Sequence, residues 1–486
     1  SRDAVLAHWH RRGDGRCGDG VAGDVMDIDL RSQRVLVVGI GIEGVDLVRF
    51  AVAEHAARVT ANDARGREDL VRRIEDLAGL PVEFALGGHD PALARDHDVV
   101  LVSQGVRLDL PLIAEARRQG KPVASLTSIF LSRCRGPVLG VTGSSGKTTT
   151  TALLGAMFRE AGLPHVVGGN IGVPLLSRLA EIDERTWVVL EVSHTQLELT
   201  DRSPHVAAVT NVTPNHLDRY TWDAYVRLKR NFIIYQRPED FAILNYDDPV
   251  TRSFADDTTA KVNFTTMGPT APGDGAYLPN GVLTIRRGLR EVPVLPAADI
   301  PLRGTHNVAN SLTAIAAADA AGVPVDAMAR AIRSFPGVPH RLEPIGTIRG
   351  VTWVNDSIAT TPERTLAGMR SFTEPLVVLL GGRGKNLPFE ELASEAASRC
   401  RAVVCFGEER EELAQAMREA GVRTLVVENI DEAVNAAADI AEPGDVVLFS
   451  PACTSFDAFD NFEQRGEAFR ACVRMLAERW GEEVPS

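Results

Sequence analysis

Cysteine is scarce and scattered: Cys17, Cys134, Cys400, Cys405, Cys453 and Cys472 form no CxxC pair and no metal-binding spacing. A disulfide scaffold and a zinc ribbon are therefore excluded, and the thiols are expected to be reduced and mostly buried in a cytosolic protein. No apolar run reaches the length a membrane-spanning helix needs, and no charged-then-apolar leader is apparent. Positive charge is also short. Lys and Arg number 52 against 65 Asp and Glu, a formal net charge of −13, which argues against a protein that grips a nucleic-acid backbone. Anionic small ligands stay possible, because loops and a metal ion can supply local positive potential. The composition is otherwise that of a globular protein, so disorder, collagen and coiled coil are excluded, and 486 residues suggest about three domains.

What is abundant is a rhythm. Short Val/Leu/Ile runs alternate with Ala-rich amphipathic stretches, which predicts strand–helix–strand units and buried parallel sheets. The first block has strand candidates at 35–38, 58–61, 99–102 and 122–125. The second has them at 138–141, 188–191, 206–210 and 241–244, and the third at 352–354, 376–380, 402–406, 424–427 and 446–449. Between Thr258 and Pro301 the turns Pro-Gly-Asp-Gly and Pro-Asn-Gly predict a small antiparallel β insertion. Gly and Pro clusters place boundaries near 133–136 and 335–339. The reading is an α/β chain with a peripheral lead-in (1–33), a Rossmann-like domain (34–133), a central P-loop domain with a mostly parallel sheet (134–336) and a second Rossmann-like domain (337–486).

The strongest motif follows the strand 138–141: Gly143-Ser144-Ser145-Gly146-Lys147-Thr148-Thr149, then a helical Ala/Leu stretch. A glycine turn opening a helix aims backbone N–H groups at phosphate oxygens, with Lys147 on the β- and γ-phosphates and the Thr148 hydroxyl on Mg²⁺. Val141 stands where the strict Walker spacing has Gly. In the first block Gly39, Gly41, Ile42, Glu43 and Gly44 follow a strand, and Asp63 comes nineteen residues after Gly44. Taken alone, that block reads as an NAD fingerprint, the alternative being a glycine turn kept for packing. Charged groups also sit at predicted strand ends, where open α/β sheets place ligands: Glu191, then His216 and Asp218, with Lys229 thirteen residues after His216. A lone His or a Lys on a polar helix is ordinarily structural or surface.

Taken together these strings resemble the Mur ligases, the ATP-dependent amide-forming enzymes of peptidoglycan synthesis. The similarity runs from about Arg34 to the C-terminus. It covers the phosphate loop, Gly169-Asn170-Ile171-Gly172, Leu190-Glu191-Val192-Ser193, His216-Leu217-Asp218, His306-Asn307 with Asn310, Pro339-His340-Arg341, Asn355-Asp356-Ser357 and Gly381-Gly382 with Lys385. The tail from Ser450 through Ser455 and Phe456 to Phe462 and Gly466 resembles the family's glutamate-adding branch.

The resemblance implies addition of glutamate, the D-isomer expected, to UDP-N-acetylmuramoyl-L-alanine through an acyl phosphate. ADP and phosphate would be released, in a pathway of cell-wall biogenesis that serves cell shape and division. It implies that Gly39, Gly41, Ile42, Glu43, Gly44, Asp63, Arg65, Ser103, Gly105 and Asn170 hold the uridine substrate. ATP falls to Gly143 through Thr149 with Asn307, Asn310, Arg341 and Asp356. Glutamate falls to Thr360, Lys385, Ser455, Phe456 and Phe462. Lys147, Glu191, His216 and a carbamylated Lys229 would be catalytic, with one or two Mg²⁺ ions on Thr148, Glu191, His216 and Lys229. A cytoplasmic monomer with no nucleic-acid partner is expected. The family pattern is broken at Gln104 (usually Pro), His194-Thr195 (usually Ser-aromatic), Ile358 (commonly Lys) and Arg383 (usually acidic). The changes at His194-Thr195 and Ile358 leave the same reaction with L-glutamate open, while Gln104 is expected to reshape the uridine rim. From other classes, a nicotinamide-dependent oxidoreductase and a P-loop regulatory ATPase are the competing readings, and a folate-glutamate ligase is disfavoured by the N-terminal glycine block.

Overall fold

The structure is a computed structural model, and it describes residues 28–170, 174–217, 219–385 and 387–482. The lead-in up to residue 27, Ile171, Gly172 and Asp218 therefore lie outside the described residues. The chain forms two compact units, which divide between Phe335 and Pro336, with Leu302–Gly304 belonging to the second.

The first unit holds two sheets. In one, β1 (Arg34–Val38), β2 (Arg58–Asp63), β3 (Val82–Leu86), β4 (Val99–Val102) and β5 (Val123–Ser125) are all parallel, in the order β3-β2-β1-β4-β5. Chain direction across the sheet reverses between β1 and β4, so a crevice opens at their carboxyl ends. The glycine turn at 39–44 and the Ser103–Gly105 turn both lie there.

The other sheet contains β6 (Val138–Thr142), β7 (His165–Gly169), β8 (Trp187–Glu191), β9 (Val206–Val209), β10 (Phe241–Asn245), β11 (Lys261–Thr265), β12 (Gly275–Tyr277), β13 (Val282–Arg287) and β14 (Arg290–Pro296). Its order is β14-β13-β12-β11-β10-β9-β6-β8-β7. The segment expected to be an antiparallel insertion needs correction. β11 and β12 continue the sheet in parallel, and antiparallel pairing starts only at β12–β13. β11 is a parallel strand because it docks in register on β10, Phe241 opposite Lys261, although its own Lys-Val-Asn-Phe-Thr sequence alternates. β6 sits between β8 and β9, fully buried, as a strand covered on both faces must be.

In the second unit β15 (Glu343–Ile348), β16 (Val351–Asn355), β17 (Leu376–Gly381), β18 (Cys400–Phe406), β19 (Thr424–Val426) and β20 (Val446–Ala452) run β15-β16-β20-β17-β18-β19, parallel except for β15. Apolar clusters cover both faces, one around Val378, Leu448 and Met417 and the other around Trp353, Phe449 and Phe469.

Three strands escaped the sequence reading: β3, β7 and β15. All are sheet edges with broken burial, so none carries the uninterrupted apolar run of a central strand. Among the described residues five cysteines are free, two buried and three half-buried, and no helix is long and apolar enough to cross a membrane.

Candidate active site

The chemistry gathers where β6, β8 and β9 end. β6 passes into the loop 143–146, and the helix Lys147–Glu160 starts at Gly146, whose φ of +81° suits glycine. A Cβ at Gly146 would lie 2.3 Å from Asn310 Oδ1, so the turn and the helix Thr305–Ala320 meet through the missing side chain. Asn310 in turn donates to Asn307 Oδ1 at 3.1 Å, and both are buried. Lys147 Nζ donates to the carbonyls of Gly143 and Ser144 at 3.0 and 3.2 Å. The helix N-terminus adds N–H groups that have no intrahelical acceptor and its positive dipole end, a favourable seat for phosphate.

Residues beyond the motif hold the loop in shape. Asn211 takes the Ser145 N–H on Oδ1 at 3.0 Å and the Ser144 N–H on its carbonyl at 2.9 Å. Thr210 Oγ1 donates to the Ser145 carbonyl at 2.6 Å, and Ser144 Oγ lies 3.1 Å from the Tyr225 hydroxyl. None of Asn211, Thr210 and Tyr225 was singled out in the sequence. Asn211 was legible as the polar residue just past β9, the strand beside the phosphate-loop strand.

Glu191 ends β8 and is 1% exposed. Its Oε1 accepts from Asn170 Nδ2 at 2.8 Å, while Oε2 is buried with no hydrogen-bond partner. A carboxyl group with an orphaned buried oxygen at a strand end fits a hard cation. Lys229, on the helix Trp222–Arg230, is wholly buried and donates to Thr142 Oγ1 at 3.0 Å. Thr142 Oγ1 passes its own proton to the Val192 carbonyl at 2.7 Å. Burial, reinforced by the Lys147 charge and only partly opposed by Glu191, holds the Lys229 amine well below the ordinary lysine range. It is not the surface lysine that a polar helix suggests.

His216 is exposed, has φ +55°, and stacks on His194 with ring centroids 4.0 Å apart. Burial first, and then neighbouring positive charge such as that of Arg219 and Lys147, pushes His194 down to about 3, so its ring is neutral. Tyr220 and Tyr225 complete this aromatic wall.

At the first sheet, Gly44 is required by close approach, since a Cβ would lie 1.9 Å from the Gly39 carbonyl oxygen. Asp63 Oδ2 accepts the Ile40 N–H at 2.8 Å, and Arg65 forks onto both Asp63 oxygens at 3.0 Å. Burial opposes the Asp63 charge, but these donors, Arg65 first, leave the carboxyl below its usual range. The residue that would take a ribose hydroxyl in a dinucleotide site is thus already engaged. Ser103 is buried, and Gly105 and Asn170 are exposed beside it in the same unit. Glu43 Oε2 accepts the Gln104 N–H at 3.0 Å and Oε1 accepts Gln196 Nε2 at 2.7 Å.

In the second unit Asp356 follows β16 and is buried, accepting from Leu342 N at 3.1 Å and Ser450 Oγ at 2.8 Å. Burial pushes it up to about 6. Lys385 Nζ reaches Thr360 Oγ1 at 3.4 Å, and burial, then Arg364, lowers its ammonium. Ser455 is buried, Phe456 is 61% exposed, and Phe462 opens the helix Phe462–Arg479. Arg465, wholly buried, donates to Ser357 Oγ and O and to the carbonyls of Cys453 and Gly381, tying together the ends of β16, β20 and β17. Arg341 follows His340, which has φ +63°, and its charge is felt by Asp356.

A phosphate loop after an interior strand in the parallel part of a mixed sheet, with a carboxylate on the neighbouring strand end, defines a nucleoside-triphosphate-using α/β protein. Comparison with known proteins narrows the class. The Mur ligase MurD-like N-terminal domain matches residues 33–125, the Mur ligase middle domain 141–318, and the Mur ligase glutamate ligase domain 340–453. The chain is 42% identical over 450 residues, 92% of its length and 98% of the relative's, to the UDP-N-acetylmuramoylalanine--D-glutamate ligase of Symbiobacterium thermophilum. It is 40% identical over 464 residues, 92% and 99% of the two chains, to the enzyme of the same name from Roseiflexus sp.. The chain belongs to the Mur ligase family. Its fold is similar to UDP-N-acetylmuramate-alanine ligase MurC from Thermotoga maritima, with TM-score 0.57, 19% identity, and 92% and 99% of the two chains covered. It is also similar to MurF from Acinetobacter baumannii, with TM-score 0.56, 18% identity, and 79% and 93% covered.

Proposed function

We propose that this chain joins D-glutamate to UDP-N-acetylmuramoyl-L-alanine at the expense of ATP, in peptidoglycan synthesis. The carrying observation is the buried, unpartnered Glu191 oxygen beside a phosphate loop and a wholly buried lysine amine. The relatives' shared name supports the substrates, and family membership displaces the nicotinamide and regulatory-ATPase readings.

A carboxylate oxygen is a poor leaving group, so the acceptor is first phosphorylated. The acceptor carboxylate attacks the γ-phosphorus, the bond to ADP breaks, and an acyl phosphate forms. The glutamate amine then attacks the acyl carbon, phosphate leaves, and the amine gives up a proton. Moving phosphoryl between anions needs alignment and charge neutralisation more than covalent help. Lys147 and the loop N–H groups supply part of that. Thr148, Glu191, His216 and a carbamylated Lys229 would hold Mg²⁺, which would supply the remaining positive charge.

Lys229 serves as a ligand only after carbamylation. Its lone pair would attack CO₂, the C–N bond would form as one C=O bond opens to C–O⁻, one amine proton would pass to solvent, and an anionic oxygen pair would replace a nitrogen that a hard cation binds poorly. Gly143 to Thr149, Asn307, Asn310, Arg341 and Asp356 are assigned to ATP. Gly39, Gly41, Ile42, Glu43, Gly44, Asp63, Arg65, Ser103, Gly105 and Asn170 are assigned to the uridine nucleotide. Thr360, Lys385, Ser455, Phe456 and Phe462 are assigned to glutamate. The domains are those at 34–133, 134–336 and 337–486. One chain supplies every assigned group, so a cytoplasmic monomer suffices.

The test is release of ADP across a panel of UDP-muramoyl acceptors and both glutamate enantiomers. Products AMP and pyrophosphate, or a preference for L-glutamate, would overturn the acyl-phosphate route and the stereochemistry respectively.

A further inference from the structure

Between the uridine-side turns and Glu191 runs an unbroken set of hydrogen bonds whose centre is Gln104. Its backbone N–H anchors on Glu43, as described. Its side-chain amide spends both donors on the other sheet of the same unit, reaching Asn170 Oδ1 at 2.9 Å and Ser193 Oγ at 3.0 Å. Asn170 then donates through Nδ2 to Glu191 Oε1 at 2.8 Å. Ser193 is held from the other side, because its N–H donates to Gln196 Oε1 at 2.9 Å and Gln196 Nε2 returns to Glu43.

The order of atoms in this set is dictated chemically. Glu191 Oε1 takes the Asn170 NH₂, so the Asn170 oxygen is turned the other way. That oxygen needs a donor, and the Gln104 amide is the donor it has. With Asn170 so fixed, Oε1 of Glu191 is occupied and Oε2 is the oxygen presented without a partner.

We infer that Gln104 is a positioning residue for the reaction: through Asn170 it fixes which Glu191 oxygen faces the cation, and so couples the uridine-side turn to the metal ligand. The inference rests on the ligase reading for the identity of that cation as Mg²⁺. Partners behind a metal ligand commonly change metal affinity by about 10–100-fold when removed.

The decisive experiment titrates Mn²⁺ into the full chain with saturating ADP, by calorimetry or by the manganese spin signal, and measures steady-state kinetics alongside. Gln104→Met keeps the side chain's length and the backbone N–H to Glu43 but has no donors. Gln104→Glu keeps the shape but accepts only, so Asn170 would turn its NH₂ towards residue 104 and its oxygen towards Glu191. Gln104→Met should weaken Mn²⁺ binding about tenfold, and Gln104→Glu at least as much. Asn170→Ala should match, and Gln104→Met should add nothing in the Asn170→Ala background. A residue that merely shapes the nucleotide cleft would raise the uridine-nucleotide KM and leave Mn²⁺ affinity untouched. Wild-type Mn²⁺ affinity in Gln104→Met, tighter binding in Gln104→Glu than in Gln104→Met, or additive losses in the double variant would overturn the inference. Ligase turnover with wild-type Mn²⁺ affinity in Gln104→Met sinks this proposal alone. The predicted Mn²⁺ pattern in a chain that forms no amide sinks the ligase reading alone.

Discussion

Replacing Lys229 by Met should make the protein more stable and nearly inactive at once. The amine is completely buried, which favours the neutral form, with its two N–H donors and a lone pair. The hydrogen bond described for it goes to Thr142 Oγ1 at 3.0 Å, and the Tyr225 ring lies 5.6 Å away. A buried polar group with unmet capacity costs about 1–3 kcal/mol. Met matches the length of the lysine stem and asks for no partner, while Thr142 keeps its donation to Val192. A net gain of about 1–2 kcal/mol is expected, a rise in Tm of roughly 1–3 °C for a unit of this size, measured in bicarbonate-depleted buffer so that the wild-type amine is unmodified. Turnover should fall about 10²–10³-fold, the cost of losing one group that stabilises developing charge. Lys229→Ala should be equally inactive but partly restored by acetate or propionate, which can enter the space and supply carboxylate oxygens. A Met variant that is less stable than wild type would refute the argument from burial. Wild-type turnover in either variant would refute the ligand role.

Gly146→Ala should weaken ADP binding about tenfold by fluorescence titration, because a left-handed conformation costs a non-glycine residue about 1–2 kcal/mol and the added Cβ meets Asn310. Asp356→Asn tests a pH dependence whose sign follows from the raised carboxyl. Between roughly 3.9, the unfolded value, and about 6 the native state holds the extra proton, so wild-type stability declines as pH rises through that window and stays reduced above it. The unfolding free energy of the Asn variant from denaturant titration should match wild type near the bottom of the window and exceed it at neutral pH by about 3 kcal/mol; no pH dependence in the difference would refute the burial argument. Arg465→Lys should destabilise by about 3 kcal/mol and raise the KM for glutamate, since a point ammonium cannot span carbonyls on three strand ends as a planar guanidinium does; unchanged stability would contradict that role.

How much of this was readable beforehand depends on whether a residue's task is local. The central strands declared themselves through apolar runs, and the phosphate loop through glycine spacing next to Lys147, because both are set by neighbours in sequence. Edge strands such as β3 and β15 did not, since a half-buried strand has no such run. The β11 pairing was misread for a related reason. Turns signalled reversals, but parallel docking on β10 depends on residues twenty positions away. Lys229 shows the sharpest limit. Its helix reads as polar, with Arg227 and Arg230 beside it, yet Tyr225 and Lys229, four residues apart on one face, are its buried residues. A tyrosine and a lysine make a poor apolar stripe, so periodicity assigns that face to solvent. What buries it is the base of the phosphate loop, where Thr142 and Ser144 meet that lysine and tyrosine. Gln104 carries the same lesson further. In the sequence it is only an unexpected residue in a turn, and its weight comes from two amide donors that land on a different sheet. Function in this protein is written largely in such partnerships, which no window along the chain contains.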